Sequence, residues 1–294
     1  MENFIDLHTH STASDGIYTP KELVQQAHTV GLRVLALTDH DTTNGLDEAS
    51  AVAQHLHIDF VPGIEINTDV GSDEIHMLGY YLEYPRPEFQ QVLQILRDAR
   101  ARRGQRMVEL LNEQGIAISW ERVREIAQGS VGRPHVAKAL VEAGAVQSIS
   151  EAFDKYIGKG RHAYVPRYKL APIDAIRLIR SANGLPVMAH PINLPGLDEL
   201  RKWLPELLEA GLVGLETYYG PYTEEEELQL RALADEHHLI PTGGTDFHGP
   251  DIHPTPLGGR FVPFEAVERL KAAALKQSGN EPPKFVLPAP VEEK

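Results

Sequence analysis

FIDLHTH, residues 4–10, is a short apolar run that turns polar over its last three positions. It is followed by STASDG (11–16) and then by Thr19-Pro20-Lys21-Glu22. This order reads as strand, polar turn and helix. Thr19 is placed to cap the helix, Pro20 suits its first position, and Glu22 completes a capping box. The helix is expected to run to about residue 30 and stop at Gly31. The next block repeats the theme: 33–38 (RVLALT) reads as a buried strand ending in Asp39-His40-Asp41, a helix follows over 46–57, and a strand over 60–66 carries Glu65. Alternating strand and helix, with polar residues gathered where strands end, is the pattern of a parallel α/β sheet or barrel.

After a strand over 74–83 the rhythm changes. Residues 87–159 are mostly helical by periodicity, with helices over 88–112, 120–127 and 134–143 and a fourth opened by Ser148-Ile149-Ser150-Glu151. Alternation then returns, with helices over 172–182, 197–210 and 223–237 interleaved with strands over 185–189, 213–217 and 239–242, and a last helix over 263–277. The expected organisation is a barrel body of residues 1–76 and 166–277, a helical insertion over 77–165 that acts as a substrate lid, and a loosely held tail over 278–294.

Composition narrows the classes of function. The 294 residues carry 42 acidic and 28 basic side chains, a formal charge of −14, which argues against binding duplex nucleic acid through many phosphate contacts. No apolar run reaches the roughly 20 residues of a membrane span. The first ten residues lack the basic start and apolar stretch of a secretory signal, so a cytoplasmic location is expected. With no cysteine, thiolate metal sites and cysteine nucleophiles are excluded, yet there are 14 histidines.

Their placement is informative. The strand ends carry His8 and His10 with Asp15 in the turn behind them, then His40, then Glu65; His76 lies on the strand before the insertion, His190 follows the next body strand, and Asp246 and His248 follow the last. Sites of such barrels form at the C-terminal strand ends, and alternate strand residues face the same way, so His8 and His10 share a cavity, as do Asp246 and His248. Nine imidazoles and carboxylates without thiolate suit manganese, zinc or iron, and nine ligands imply two or three ions with a bridging carboxylate such as Glu65 or Asp246. A lone histidine after a strand is more often a solvated loop residue; only the joint pattern points to metal. His28, His55, His57, His162, His237, His238 and His253 fall on helices or away from strand ends and need no special role.

As a set, HTHS (8–11) with SDG (14–16), TDHD (38–41), GIE (63–65), AHP (189–191) and TDFH (245–248) resemble the polymerase-and-histidinol-phosphatase (PHP) family. That resemblance implies an α/β fold, a distorted seven-stranded (β/α) TIM-like barrel, that binds up to three divalent ions and hydrolyses phosphoesters. It implies one ion on His8, His10, Glu65 and Asp246, a second on Asp15, His40 and His248, and a third on Glu65, His76 and His190. Within the family the chain is similar to a nucleotide-phosphatase branch with a helical insertion, which includes 3′,5′-nucleoside bisphosphate phosphatases and enzymes that trim short RNA from the 5′ end.

The insertion supplies cationic groups. Arg97, Arg100, Arg103 and Arg106 recur every third residue on the long helix beside Arg102, and Arg133 and His135 flank Pro134, which opens a helix whose N-terminal amides favour anions. A basic face paired with Asp98 and Glu109 is the competing reading of the helix. By resemblance Arg100, Arg103, Arg133 and His135 contact substrate phosphate. The expected reaction is hydrolysis of a nucleotide phosphomonoester (a 3′,5′-bisphosphate, a 5′-monophosphate or a short RNA 5′ end) by a metal-bridged hydroxide, with His248, Asp246 and Glu65 at the reacting centre. Asp41 is a candidate leaving-group acid. Histidinol phosphate is the alternative substrate. A metal-dependent amidohydrolase also begins with His-x-His, but usually ends in a lone Asp and often adds a bridging lysine. A non-catalytic metal-binding module would have no need of open ligand positions.

Overall fold

The structure is a computed structural model, and it describes residues 4–70, 73–127, 129–166, 168–191, 196–250, 252 and 255–288. The first strand, β1 (Ile5–Asp6), leads through the polar turn to α1 (Pro20–Thr29). That helix starts as its capping residues dictate: Thr19 accepts from the Glu22 amide, and Glu22 returns the contact to the Thr19 backbone. Then follow β2 (Val34–Leu37), α2 (Leu46–His55), β3 (Asp59–Val70) and β4 (Asp73–Tyr80). The insertion comprises α3 (Pro87–Glu113), α4 (Trp120–Ala127), α5 (Arg133–Glu142) and α6 (Ile149–Ala152), which runs on into a π-helical turn, Phe153–Ile157. The body resumes with α7 (Pro172–Ser181), β5 (Leu185–Ala189), α8 (Leu197–Ala210), β6 (Gly214–Tyr219), α9 (Glu224–Glu236), β7 (Ile240–Gly244) and α10 (Phe264–Gln277).

The seven strands lie in sequential order, β1 to β7, in one sheet. It closes on itself through Leu7 N–H to the Gly243 carbonyl (3.2 Å), Phe247 N–H to the His8 carbonyl (3.3 Å) and a Thr9–Phe247 bridge. The barrel expected from the sequence is therefore present, with one correction. β4 runs antiparallel to both β3 and β5, whereas the other neighbours are parallel. Only two residues separate β3 from β4, and so short a connection pairs strands antiparallel; a parallel return needs a crossover of a dozen or more residues. The reversal also explains how His76, near the start of its strand, shares a rim with residues at the ends of theirs. The register pairs it with Asn67 on β3 and with Ala189, the last residue of β5.

One apolar cluster joins Ile5, Val34, Val61, Tyr80, Val187 and Ile240 from the strands to Val267 and Leu270 of α10. A second lies between the sheet and α7, α8 and α9, and a third under α1 and α2. The insertion has its own core, built from Met107, Leu111, Val123, Val136, Leu140, Ile157 and neighbours. Residues 77–80 belong to β4 and to the sheet, not to the insertion, and Phe89, Leu93 and Leu96 on the first half of α3 are buried in the main body cluster. The insertion is thus shorter than 77–165 as a packing unit. The described part of the tail, 278–288, is likewise better held than its Pro-rich sequence predicts: Phe285 and Leu287 pack against the body, and the Tyr168 hydroxyl donates to the Pro288 carbonyl at 3.1 Å. Among the described residues no helix is long and apolar enough to cross a membrane.

Candidate metal centre

Three loop residues that close strands into the rim have left-handed backbones: Asp41 after β2 (φ 53°), His190 after β5 (φ 26°) and Asp246 after β7 (φ 55°). Such conformations are costly for residues with a Cβ and persist where the surroundings hold them. Here they turn the chain sharply at the mouth of the barrel and bring nine side chains from six strands to one place.

Glu65 is at the middle and fully buried. Its Oε2 lies 3.3 Å from His8 Nε2, 3.2 Å from His10 Nε2 and 3.0 Å from His40 Nδ1, and its Oε1 lies 2.7 Å from His76 Nδ1 and 3.2 Å from His190 Nε2. Asp246 Oδ1 is 3.3 Å from His8 Nε2 and 3.1 Å from His10 Nε2, and Asp15 Oδ1 is 3.2 Å from His248 Nε2 and 3.8 Å from His40 Nε2. Donor atoms gather in three overlapping sets: His8, His10, Glu65 and Asp246; His10, Asp15, His40 and His248; and His40, Glu65 and His76. The first is the set the resemblance implies. The second adds His10 to the implied one, and the third holds His40 where His190 was implied, with His190 instead reaching Glu65 Oε1.

The donor set fits divalent cations. His8 Nε2, both nitrogens of His10, Asp15 Oδ1, His40 Nδ1 and Glu65 Oε2 are shielded from solvent and make no hydrogen bond, although they lie close together. Orphaned buried polar atoms are costly, and lone pairs that converge without hydrogen-bond geometry are arranged for a shared cation. Carboxylates and imidazoles in the cluster shift one another. Burial opposes ionisation of Glu65, but His40, His76 and His8 outweigh it and hold its carboxyl well below the usual range. Burial is likewise outweighed at Asp15, by His40 and His248, and at Asp246, by His8 and His248, and both carboxyls are held well below theirs. Burial pulls the His8 imidazole down, but Glu216, Asp246 and Glu65 raise it well above 6.5. At His248, Asp15 and Asp246 overcome burial and push the imidazole up to about 10, while burial dominates at His40 and takes it down to about 4.

Five residues that sequence reasoning missed build the seat of this cluster. Asp39 accepts from the Ser11 amide (2.8 Å) and from the Ser11 and Ser14 hydroxyls (2.7 and 2.6 Å), tying the loop that carries Asp15. Asp6 accepts from the Thr245 amide and hydroxyl (3.0 and 2.6 Å), fixing the start of TDFH. Glu216 on β6, fully buried, contacts His8 Nδ1 (3.0 Å) and accepts from the His190 amide (2.8 Å). The Asn67 side-chain nitrogen stands 2.6 Å from His76 Nε2. Tyr219 also donates to Asp246 Oδ2 at 3.0 Å. A lone acid in the strand GLETYY was the one available signal for Glu216.

The arginines of α3 do not act as one stripe. Arg100 is buried, its Nε 2.6 Å from Asp41 Oδ2 and its Nη2 on Asn67 Oδ1, so the structure places it in an ion pair and not on an open cleft wall. A carboxylate that accepts from this guanidinium and from the Asn67 amide (3.2 Å) has no proton to give, which removes Asp41 as leaving-group acid. Arg97 reaches the Asp41 carbonyl (3.3 Å); Arg103 donates to the Val165 carbonyl (2.6 Å) and lies over the Tyr164 ring; Arg106 points out to Glu109 (2.9 Å). A period of three drifts around a helix of 3.6 residues per turn: Arg97 and Arg100 both reach Asp41, and the drift turns Arg103 and Arg106 to other partners.

α5 begins beside the cluster. A methyl group on Gly132 would lie 3.6 Å from Asp15 Oδ2 and 3.8 Å from Arg100 Nη1. Arg133 lies over the Phe153 ring at 5.3 Å. The Gly132 amide donates to His135 Nδ1 (2.9 Å), and burial lowers this imidazole, so its proton is on Nε2. The preceding loop is clamped to the first motif: Ser130 N–H donates to the Ala13 carbonyl (3.0 Å), and any side chain at Gly129 would strike that oxygen at 2.4 Å. Of the remaining histidines, His28, His55, His57, His162, His237 and His238 lie away from the cluster, and His253 is outside the described residues.

Comparison with known proteins gives a consistent picture. The model of the PHP domain matches residues 6–162. A 5′-3′ exoribonuclease of Haemophilus influenzae is 35% identical over 252 residues, covering 85% of this chain and 92% of that protein. A 3′,5′-nucleoside bisphosphate phosphatase of Chromobacterium violaceum is 33% identical over 261 residues, covering 88% and 90%. A solved structure from Bifidobacterium adolescentis, described as a metal-dependent phosphoesterase, superposes with a TM-score of 0.83 at 31% identity over 93% of this chain and 97% of the other.

Proposed function

Because this chain belongs to the PHP domain family and is a metal-dependent phosphoesterase, we propose that its substrate is a nucleotide phosphomonoester. A 3′,5′-bisphosphate, a 5′-monophosphate or the 5′ end of a short RNA would serve, and manganese is the first choice of cation, ahead of zinc or iron. One observation carries the reading: buried imidazole and carboxylate atoms without hydrogen-bond partners converge on a rim overhung by the start of α5. Divalent cations bound there would supply Lewis acidity and a water of lowered pKa. His8, His10, Asp15, His40, Glu65, His76, His190, Asp246 and His248 would hold them, with Glu65 as the shared bridge.

The protein's own groups do the rest. Arg133 and the Nε2 proton of His135 are donors for phosphate oxygens, Arg103 is a further cationic donor on the insertion, and the amides opening α5 favour the same anion. The Tyr219 hydroxyl holds one oxygen of Asp246 and leaves the other to face His8 and His10. The rim side chains Asp15, His40, His76, Asp246 and His248 are only 9–16% exposed, so a terminal phosphate fits the approach and the side of a duplex does not.

A phosphate-release panel in Mn²⁺ tests this, comparing a 5′-monophosphate, a 3′,5′-bisphosphate, a 5′-phosphorylated RNA oligomer and histidinol phosphate. Preference for one of the first three, with Arg133→Ala raising KM more for the bisphosphate than for an aryl phosphate, is the expected result. Preference for histidinol phosphate, or an equal KM effect on both esters, overturns the nucleotide assignment.

A further inference from the structure

β6 is the one barrel strand that contributes none of the nine candidate ligands, yet it carries a fully buried carboxylate into the cluster's wall. We propose that Glu216 is a positioning residue that sets two ligands at once, His8 from β1 and His190 from β5; this rests on the metal-centre reading above. The two oxygens have separate duties. Oε1 lies 3.0 Å from His8 Nδ1, and Oε2 accepts the His190 amide at 2.8 Å.

The first contact settles which ring nitrogen faces the centre. With Oε1 accepting here as Oε2 accepts from the His190 amide, the proton of this contact is on His8 Nδ1. His8 Nε2 faces Glu65 Oε2 and Asp246 Oδ1, both at 3.3 Å, so it is the nitrogen that would give up its proton and take a cation. Carboxylates behind a ligating histidine orient the ring and raise its basicity in this way. The second contact acts on backbone. His190 has a left-handed φ of 26°, and this bend carries its ring back to 3.2 Å from Glu65 Oε1. An amide hydrogen bond to a rigid, buried strand residue holds that bend in place.

The two duties make the conservative substitution diagnostic. In Glu216→Gln the side chain keeps its shape but has a single acceptor oxygen, and its NH₂ group must confront either the His8 Nδ1–H or the His190 amide, donor against donor. One ligand is therefore lost from its setting. Loss of such an outer partner typically weakens metal binding about 10–100-fold.

The test uses the full chain with Mn²⁺ alone as the probe, titrated calorimetrically into wild type, Glu216→Gln and Glu216→Ala. It is coupled to ¹⁵N–¹H spectra of the histidine rings, recorded metal-free and with Zn²⁺. The proposal expects a 10–100-fold fall in Mn²⁺ affinity for both variants, and a His8 Nδ1–H proton that persists in wild type with and without Zn²⁺. Wild-type affinity in Glu216→Gln, or His8 bonded to Zn²⁺ through Nδ1, overturns it. The wild-type spectrum needs no variant to fold. Failure of the metal reading itself would show separately, as a wild-type chain that takes up no cation while retaining the His8 Nδ1–H signal.

Discussion

Replacing Arg100 by Met separates two roles for the insertion helix, a substrate contact and an internal tie. The substitution keeps most of the side-chain stem and removes the guanidinium. Asp41, 1% exposed, would then lose the 2.6 Å contact to Arg100 Nε while keeping the Asn67 backbone amide and the nearby charge of Arg97, and Asn67 Oδ1 would lose Nη2. Stranding one member of a buried ion pair costs about 3–5 kcal/mol, a large fraction of the roughly 5–15 kcal/mol that stabilises a folded domain. With a urea dependence of about 3 kcal/mol per molar, the midpoint should fall by roughly 1 M or more in metal-free protein. Asp41→Asn combined with Arg100→Met should cost clearly less than the sum of the single changes, because the double variant leaves no buried charge unpaired. Urea unfolding followed by circular dichroism, beside KM and kcat for the proposed nucleotide substrate, is the assay. An Arg100→Met protein with an unchanged midpoint and a raised KM would refute the ion-pair argument and return Arg100 to the substrate.

Asp246→Asn should abolish Mn²⁺-supported phosphate release while leaving the melting temperature within a few degrees of wild type, since its contacts are to the cluster and to Tyr219; retained turnover would sink the assignment. His248, raised to about 10 by Asp15 and Asp246 against the pull of burial, stabilises the metal-free chain fully below pH about 6.5 and loses that contribution as pH climbs through about 10. A cation must displace that proton, so apparent Mn²⁺ affinity should rise about tenfold per pH unit for each proton displaced across this window. Calorimetry in buffers of different ionisation enthalpy measures the release, and a pH-independent affinity contradicts it. Thr19→Ala removes the acceptor of the Glu22 amide at the start of α1 and should cost about 1 kcal/mol in chemical denaturation, with activity unaffected.

What the sequence made legible is what local chemistry encodes. Thr19, Pro20 and Glu22 mark a helix start whatever surrounds them, and His-x-His at the end of an apolar run is a local pattern that repeats from strand to strand. The reversal of β4 was hidden because an alternating strand carries no mark of its direction; His76 was legible as a candidate ligand, but not the antiparallel course that brings it to the rim. Asp6, Asp39 and Glu216 were hidden for a different reason. Each is a single acid whose partners lie far away in the chain, Thr245 for Asp6 and His8 for Glu216, so no spacing announces it. The arginines of α3 show the limit in reverse: their spacing was plain, but which of them faces Asp41 depends on the rotation of the helix against the body, and packing of Phe89, Leu93 and Leu96 sets that.

The long insertion helix has a mechanical consequence. α3 has 27 residues, about 40 Å at 1.5 Å each. Its first half is embedded in the body and its second half, from Met107 to Leu111, in the core of the insertion. It is a strut set in two foundations. Swinging the insertion away from the barrel would require that strut to snap or one foundation to be torn out, so the opening above the cluster has a fixed gauge. Under the proposed function, a substrate would be selected by size at that threshold, and the molecule should unfold as one unit, with no earlier step in which the overhang detaches.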